Sequence, residues 1–424
     1  MPTNTALRTS MGLLCLTLFF SSCFKDKCLR TYTYFEPVYK TSAEVRVNVK
    51  SNAPQPVERP GKLFIKGNYI FLNDIDKGVH IIDNSNPSSP KNVAFISIPG
   101  NMDLAVKGDM LYADMYMDLV AIDIVNPLNA VARKFIDDAF PFRRYSSGFL
   151  QDTGKIIVDW KRIDTTVELE CGNGGFFGIN PEKNFVVFDL MSQGAANSTG
   201  GFLRSPFGMG GSMARFTIVN NQLYTVSDYD LNVFSISTAE NPVFSNKVNI
   251  GFGIETIYPF GNRLFIGSTD GMYIYDISNA SNPSQVGKFG HVRSCDPVIA
   301  DNDHAYVTLR SGTECQGFTN QLEVLSLQSI TNPSLLKTYS MTNPHGLSKD
   351  GSLLFVCDGK DGLKIYDATQ PRALVLLKHI ANLEAYDVIA WNNIALLSAK
   401  DGLYQYEYSN AKDIKLLSKI DVNN

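Results

Sequence analysis

The stretch Gly67–Pro87, GNYIFLNDIDKGVHIIDNSNP, contains the pattern that decides the fold. It has a Gly-Asn turn, an apolar strand, a Lys-Gly turn, a second strand that ends in Asp, and then Asn-Pro. Clear copies of the pattern return at Gly108–Pro127, Gly261–Pro283 and Gly351–Pro371. Glycine and asparagine allow the positive φ of tight hairpins, and proline cannot donate to a β-ladder. Each copy therefore predicts a β-hairpin that is followed by a break in the sheet.

The turn before the second strand recurs along the chain and defines repeated units. Its positions are Gly67, Gly108, Gly154, Asn220, Gly261, Asn302, Gly351 and Asn392. The second unit predicts four strands, at Asp103–Lys107, Met110–Asp114, Leu119–Ile124 and Val131–Phe135. Repeats of about forty residues with four short strands each are typical of propeller blades. The sequence predicts an all-β fold, a single β-propeller of eight four-stranded blades over residues 61–424. Seven blades are the alternative, if the third and most divergent unit is an insertion.

The third strands of the clear units are similar to one another: VHIID (79–83), LVAID (119–123), MYIYD (272–276) and LKIYD (363–367). They resemble the LVIVD repeat, and the resemblance covers roughly residues 61–424. It implies an exported bacterial β-propeller without assigned activity, and it supplies no catalytic residue. The aspartate that ends each strand is predicted to be structural, since in-register aspartates accept backbone N–H groups at the adjacent turn.

The N-terminus has the features of a targeting segment, and residues 1–22 are predicted to be a signal peptide. Arg8 precedes the apolar stretch Met11–Phe20, which is too short to span a bilayer. The sequence Phe20-Ser21-Ser22-Cys23 resembles a bacterial lipobox, which implies lipidation of Cys23. An ordinary secretory signal is the alternative. We expect a lipidated tether and N-terminal arm over 23–60 and a place in the cell envelope, on the outer membrane, with the membrane as a partner.

Cysteine spacing and charge limit the other partners. Cys295 and Cys315 belong to one repeat and should lie at the same end of a blade, so an oxidising compartment would favour a disulfide between them. The net charge of −4 and the lack of a Lys/Arg run argue against a nucleic-acid partner.

Propeller geometry also predicts a cluster at one end of the central channel, which we call the mouth. The inner strand of each blade lines the channel, and counting six residues back from each aligned turn gives its first residue. These residues are Gly61, Met102, Gly148, Ala214, Glu255, Asp296, His345 and Tyr386. The polar four, with loop residues that open on the same face, are the candidate ligand-binding set: Glu255, Asp296, His345, Tyr386, Asp228, Asp270, Arg310 and Asp358. Carboxylates and histidine suit a bound cation or a sugar, and a merely solvated mouth is the alternative. No other cofactor is predicted.

Two long insertions, at 162–184 and 193–211, are rich in glycine and carry aromatic residues. Such loops either bind a partner or cover an apolar edge. The chain has no nucleophile elbow, Walker loop, HExxH or CxxC motif. We therefore predict a non-enzymatic binding or interaction scaffold of the cell envelope, with a protein or a glycan as partner. The alternatives are an envelope enzyme that uses Glu255, Asp296 and His345 on a glycan or small substrate, and a structural subunit of an envelope complex.

Overall fold

The computed structural model describes residues 27–140, 155–170, 186–188, 212–291, 297–311 and 319–422. Within these ranges the regular secondary structure is almost entirely β-strand, as predicted, with one short α-helix, α1 (Ser42–Arg46), and one 3-10 turn (Pro127–Asn129). No helix in the described part of the chain is long and apolar enough to cross a membrane.

The described residues fall into two compact units. The first contains a sheet of three strands, β1 (Lys27–Lys40), β11 (Ile156–Glu170) and β12 (Val186–Phe188). The strand β1 lies between the other two and pairs antiparallel with β12, where Phe35 is opposite Val186. On its other side, the hydroxyl of Thr33 donates to Asp164 of β11 at 2.5 Å.

The second unit is a propeller of seven sheets, in each of which four strands lie side by side in chain order. We call these strands A to D, from the channel outward. Blade 1 has an additional short strand, β2 (Lys50–Asn52), beyond its strand D. Blade 1 contains β3 (Pro60–Lys66), β4 (Tyr69–Asp74), β5 (Gly78–Asp83) and β6 (Lys91–Ser97), and blade 2 contains β7 (Leu104–Lys107), β8 (Met110–Met115), β9 (Asp118–Asp123) and β10 (Val131–Ile136). Blade 3 contains β13 (Phe216–Val219), β14 (Gln222–Val226), β15 (Asp230–Ser235) and β16 (Val243–Asn249), and blade 4 contains β17 (Ile254–Phe260), β18 (Arg263–Ser268), β19 (Gly271–Asp276) and β20 (Ser284–Gly290). Blade 5 contains β21 (Val298–Ala300), β22 (His304–Leu309), β23 (Gln321–Ser326) and β24 (Ser334–Ser340), blade 6 contains β25 (Leu347–Asp350), β26 (Leu353–Cys357), β27 (Leu363–Asp367) and β28 (Val375–Ile380), and blade 7 contains β29 (Ala385–Trp391), β30 (Ile394–Ala399), β31 (Gly402–Glu407) and β32 (Lys415–Asp421).

The prediction of eight blades is wrong, and the alternative of seven is confirmed. The predicted third unit was aligned on Gly154, and the apolar residues after it enter β11. This strand has 15 residues, whereas the strands of the blades have seven or fewer. It joins β1 from the N-terminal arm in a separate sheet instead of starting a blade. The third unit is therefore an insertion between blades 2 and 3.

The predicted turn chemistry is confirmed in six of the seven blades. The residue that follows strand A has a positive φ at Gly67, Gly108, Asn220, Gly261, Gly351 and Asn392. A positive φ at the first loop residue fits the primed hairpin turns, whose twist matches that of the flanking strands.

The aspartates that end strand C are structural, as predicted. Each accepts the backbone N–H two residues later, in the pairs Asp83–Ser85 (2.9 Å), Asp123–Val125 (2.9 Å), Asp276–Ser278 (2.8 Å) and Asp367–Thr369 (2.8 Å). These bonds close the loop between strands C and D, which contains the Asn-Pro step in most blades.

The outer strand of every blade has a β-bulge at the same place. Strand D contains one extra residue that has no partner opposite it in strand C. These extra residues are Val93, Arg133, Ser245, Val286, Leu336, Leu377 and Leu417. Strand D is the edge of its sheet in blades 2 to 7, whereas β2 covers it in blade 1. An edge has unpaired N–H and C=O groups that could pair with another chain. A bulge bends and twists the strand there, which makes such pairing harder.

At five of the seven junctions, a hydroxyl group ties one blade to the loop between strands C and D of the next one. The pairs are Ser51 to the Pro127 carbonyl (3.3 Å), Tyr112 to Ala239 (2.8 Å), Tyr224 to Ala280 (2.7 Å), Tyr339 to Pro371 (3.0 Å) and Ser418 to Pro87 (2.7 Å). The last pair joins blade 7 to blade 1 and so helps to close the ring. At the same junction the side-chain amides of Asn84 and Gln405 exchange two hydrogen bonds, and Val57 bridges to Val422.

Candidate functional site

The described mouth residues lie at or just before the start of an inner strand, and three of them lie at irregularities in the strand pairing. In β3, Gly61 and Lys62 together face the single residue Asn73. In β17, Ile254 pairs with Ser268 and Thr256 pairs with Gly267, so Glu255 is the extra residue. In β29, Tyr386 is extra in the same way, between the paired residues Ala385 and Asp387. Bulges at the rim of a closed sheet redirect side chains and are common beside functional sites. No pattern in the sequence marks the bulges at Glu255 and Tyr386.

Three candidate residues come together at the mouth: Arg310 from blade 5, His345 from blade 6 and Tyr386 from blade 7. Arg310 donates from Nη1 to Nδ1 of His345 at 2.9 Å. The rings of His345 and Tyr386 meet edge to face, with their centroids 5.6 Å apart. The backbone N–H of Gly346 donates to the Tyr386 carbonyl at 2.9 Å, which fixes the two inner strands against each other. We call these three side chains the mouth cluster.

Burial sets the protonation of the mouth cluster. Burial, and then the charge of Arg310, hold the pKa of His345 well below its usual value, so the imidazole is neutral. Its Nδ1 accepts from Arg310, and its Nε2 lies 3.2 Å from the side-chain amide of Asn343. Burial and the carboxylate of Glu384 raise the pKa of Tyr386, so its phenol stays protonated. The cluster therefore contains one fixed positive charge and two neutral rings.

The three loop aspartates of the candidate set have partners within their own blades. Asp358 is fully buried, accepts the backbone N–H groups of Thr342 and Asn343, and pairs with Lys364 at 2.6 Å. Asp270 accepts from Ser268 and Tyr273 and pairs with Lys288 at 3.0 Å. Asp228 lies 3.3 Å from the guanidinium of Arg215.

Two of these arrangements recur in other blades. Asp74 in blade 1 accepts the backbone N–H groups of Glu58 and Arg59, and His80 stands in the place of Lys364. In blade 7, Asp401, Tyr404 and Lys419 repeat the contacts of Asp270, Tyr273 and Lys288. Such repetition indicates that Asp358 and Asp270 hold their loops in shape.

The remaining members of the candidate ligand-binding set are Glu255 and Asp296. Glu255 is half-buried at its bulge. Asp296 and the two cysteines of the predicted disulfide, Cys295 and Cys315, lie outside the described residues, as does the predicted lipidation site Cys23. In the described part of the chain, no group of three or more His, Cys, Asp or Glu side chains is placed to hold a metal ion.

The sequence-based reasoning missed a layer of buried charge just inside the mouth. Lys62, one residue after the counted mouth position of blade 1, is 0% exposed and pairs with Asp103 of blade 2. Burial lowers the pKa of Lys62 well below its usual value, and the carboxylates of Asp114 and Asp387 oppose that shift. Asp103 also accepts the backbone N–H of Arg215 at 2.8 Å. A signal was present, because Lys62, Asp103, Arg215 and Asp387 all follow a counted mouth residue.

At the depth of Lys62, the residues that precede strand A of blade 3 cross the channel. Ser212 is fully buried and its hydroxyl accepts the N–H of Leu347 at 2.8 Å. Ser212 precedes strand A of blade 3, whereas Leu347 belongs to strand A of blade 6. Blades 3 and 6 stand three places apart in a ring of seven, so this bond spans the channel. The next two residues, Met213 and Ala214, are buried as well. The mouth is therefore a shallow recess with a floor.

Comparison with known proteins supports the fold. Residues 61–94, 100–131 and 257–290, in blades 1, 2 and 4, match the LVIVD repeat, so the predicted resemblance is confirmed. No curated protein matches the sequence significantly.

Similar solved structures include three proteins of low sequence identity. A protein from Lactobacillus plantarum is 12% identical, with 83% of this chain and 96% of that chain covered and a TM-score of 0.51. The computationally designed Ika8 protein is 10% identical, with 87% and 88% covered and a TM-score of 0.50. The periplasmic gluconolactonase of Pseudomonas aeruginosa is 12% identical, with 93% and 97% covered and a TM-score of 0.49. The likeness to the first two, at such identities, shows the fold alone.

The pairing of Lys62 with Asp103 should give a large coupling energy. Lys62→Met leaves buried carboxylates without their cation and should lower the free energy of unfolding by about 3–5 kcal/mol. Adding Asp103→Asn should cost less than the sum of the two single changes, with a coupling energy of about 0.5–3 kcal/mol. Urea unfolding of the wild type, both single variants and the double variant measures this. Additive effects would show that the two groups do not stabilise each other.

The buried, neutral His345 should make stability depend on mildly acidic pH. Its pKa is depressed in the folded protein, so between that value and about 6.5 the unfolded chain binds a proton that the fold excludes. Stability should therefore fall as the pH drops below about 6.5, and His345→Asn should flatten this fall above the carboxylate range. Melting temperatures at several pH values measure it, with the more exposed His379→Asn as control. Equal pH profiles for the wild type and His345→Asn would contradict the assignment.

Proposed function

We propose that this chain is an exported, lipid-anchored β-propeller that acts as a binding scaffold in the cell envelope, and that its partner docks on the mouth face. The observation that carries the proposal is the mouth cluster. Three consecutive blades, whose contributing residues are up to 76 positions apart in the sequence, bring Arg310, His345 and Tyr386 into contact above a closed floor.

The chemistry of the cluster favours a partner rich in hydrogen-bond acceptors. Arg310 supplies a permanent cation with several N–H donors. The phenol of Tyr386 stays protonated and is hydrogen-bonded to the carboxylate of Glu384, whose charge is balanced by Lys400 at 3.3 Å. Carboxylates of an acidic protein surface and hydroxyl or carboxyl groups of a glycan both meet these requirements.

The state of His345 supports binding in preference to turnover. A general base needs a free nitrogen lone pair and a pKa near the working pH. Nδ1 of His345 already accepts a hydrogen bond from Arg310, and its pKa lies well below the usual value. The imidazole therefore suits a positioning role, in which it holds Arg310 and Tyr386 in place for a partner.

The scaffold role also agrees with the construction of the ring. Blades are joined by partly buried hydroxyl–carbonyl bonds and by a buried ion pair, which hold the inner strands in place. A preformed site loses little conformational entropy when a partner docks.

The resemblance of residues 20–23 to a lipobox supports the proposed anchor. We expect the Cys23→Ser variant to lose labelling by a radioactive fatty acid and to move from the membrane fraction to the soluble envelope fraction, because acyl chains provide the membrane affinity. Cys28→Ser is the matched control and should behave like the wild type. Membrane retention and labelling of Cys23→Ser would exclude this anchor.

The mouth can be tested with a glycan array and with envelope proteins captured by crosslinking. A partner that docks there should bind Arg310→Gln about tenfold to a hundredfold more weakly, since a hydrogen bond to a charged group contributes about 1.5–3 kcal/mol. Tyr386→Phe should also weaken binding, whereas Arg372→Gln, at an exposed loop position, should not. Binding that survives both mouth changes, but fails when strand D is altered, would favour a structural subunit that uses blade edges.

A further inference from the structure

A second recess opens at the other end of the channel, on the face where strands A turn into strands B. It is a cavity of about 340 Å³. Residues near the ends of five inner strands line it, including Ile65 of blade 1, Tyr258 of blade 4, Ile299 of blade 5, Lys349 of blade 6 and Trp391 of blade 7. Ligand pockets are typically about 300–1,000 Å³, so this one is suited to a small ligand.

This cavity is separate from the mouth. In blade 6, His345 at the mouth precedes β25, and Ser348 of β25 lies in the cavity wall three residues later, a distance of about 10 Å along an extended chain. Between them lie the bond from Leu347 to Ser212 and the buried ion pair of Lys62 with Asp103. These contacts lie between the two recesses, and the cavity opens on the face of the A–B turns.

The walls combine aliphatic and aromatic surface. Ile65, Ile299 and Ile389 supply the aliphatic part. Trp391 is 54% exposed although it is one of the largest apolar side chains, and it stands at the rim. An exposed indole beside a cavity provides a flat surface on which a ring can stack.

Lys349 is the charged side chain of the wall, and its counter-charge, Asp301, lies beside the cavity. The ammonium of Lys349 lies 3.0 Å from the carboxylate of Asp301, so the cation has its counter-charge beside it. Burial raises the pKa of Asp301, but backbone N–H bonds and Lys349 lower it further, which keeps it ionised. Burial, and then the charge of Asp301, raise the pKa of Tyr258, whose phenol remains neutral. The cavity has donors and acceptors but little net charge to attract an ion.

We propose that this cavity binds the ring of a neutral saccharide. One face of a sugar ring presents C–H groups, which suit the indole of Trp391 and the isoleucine walls. Its hydroxyl groups both donate and accept. The ammonium of Lys349 donates to Asp301 and to the carbonyl of Gly351 at 2.6 Å, and its third N–H is suited to a sugar hydroxyl.

The sequence provides a direct optical test, because the chain has only two tryptophans, Trp160 and Trp391. In a Trp160→Phe background, Trp391 alone reports on the cavity. Titration with glucose, galactose, mannose and N-acetylglucosamine should give a saturable change in emission for at least one sugar. The same sugar, measured by calorimetry, should bind Lys349→Met about tenfold or more weakly, because a hydrogen bond to a charged group is lost. Trp391→Ala should weaken it as well.

Matched surface variants control for effects on folding. Leu416→Ala removes an apolar side chain that is also 54% exposed, and Lys415→Met removes a lysine with a carboxylate partner, Asp413, at 3.1 Å. Both should bind the sugar like the wild type. No saturable signal with any of the four sugars would overturn the proposal, and so would binding that Trp391→Ala and Lys349→Met leave unchanged. The mouth variants Arg310→Gln and Tyr386→Phe should not alter sugar binding, which separates this site from the mouth.

Discussion

A lysine that has no access to water holds three blades in position. Lys62 begins the first blade, pairs with a carboxylate of the second and is within electrostatic reach of Asp387 in the seventh. A buried ammonium is costly unless carboxylates surround it, and these carboxylates come from both neighbours. The buried charge of Lys62 is therefore compensated in full when blade 7 lies next to blade 1. Apolar packing of Leu63 and Ile70 with Ile389 and Leu396 adds stability to this junction, but apolar surfaces alone would tolerate other alignments.

The local features of the fold could be predicted because they depend on neighbours in sequence. A positive φ at Gly67 or Asn220, or an aspartate that caps the turn after strand C, is determined within a few residues. The number of blades depends on pairing between distant strands. Gly154 and the apolar residues after it have the local pattern of a hairpin, but β11 pairs with β1, more than a hundred positions earlier. The unit diverges most from the repeat, which marks it as a candidate insertion, but its own residues do not show that β11 pairs with β1 instead of starting a blade.

The sequence predicted where the candidate site lies, but only in part which of its side chains are available to bind a ligand. Counting from the turns located Arg310, His345 and Tyr386 at one rim, because the strands keep their register around the ring. Counting could not tell which polar residues were already engaged within their blades. Asp270 and Asp358 have the same residue type as a ligand-binding carboxylate, yet their contacts recur in other blades. In a repeat protein, a residue that departs from the repeat is a better functional candidate than one that conforms to it, and Arg310 and His345 depart from it.

The ring closes without sharing a blade between the two ends of the chain. All four strands A to D of each blade are consecutive in sequence, and the junction of blades 7 and 1 depends on side-chain contacts and one short bridge. A duplication or deletion of one repeat in the gene would therefore add or remove an intact module and would split none. Descendants with a different number of modules are accessible in a single genetic event, provided that the modules meeting at the new seam can still neutralise one buried cation.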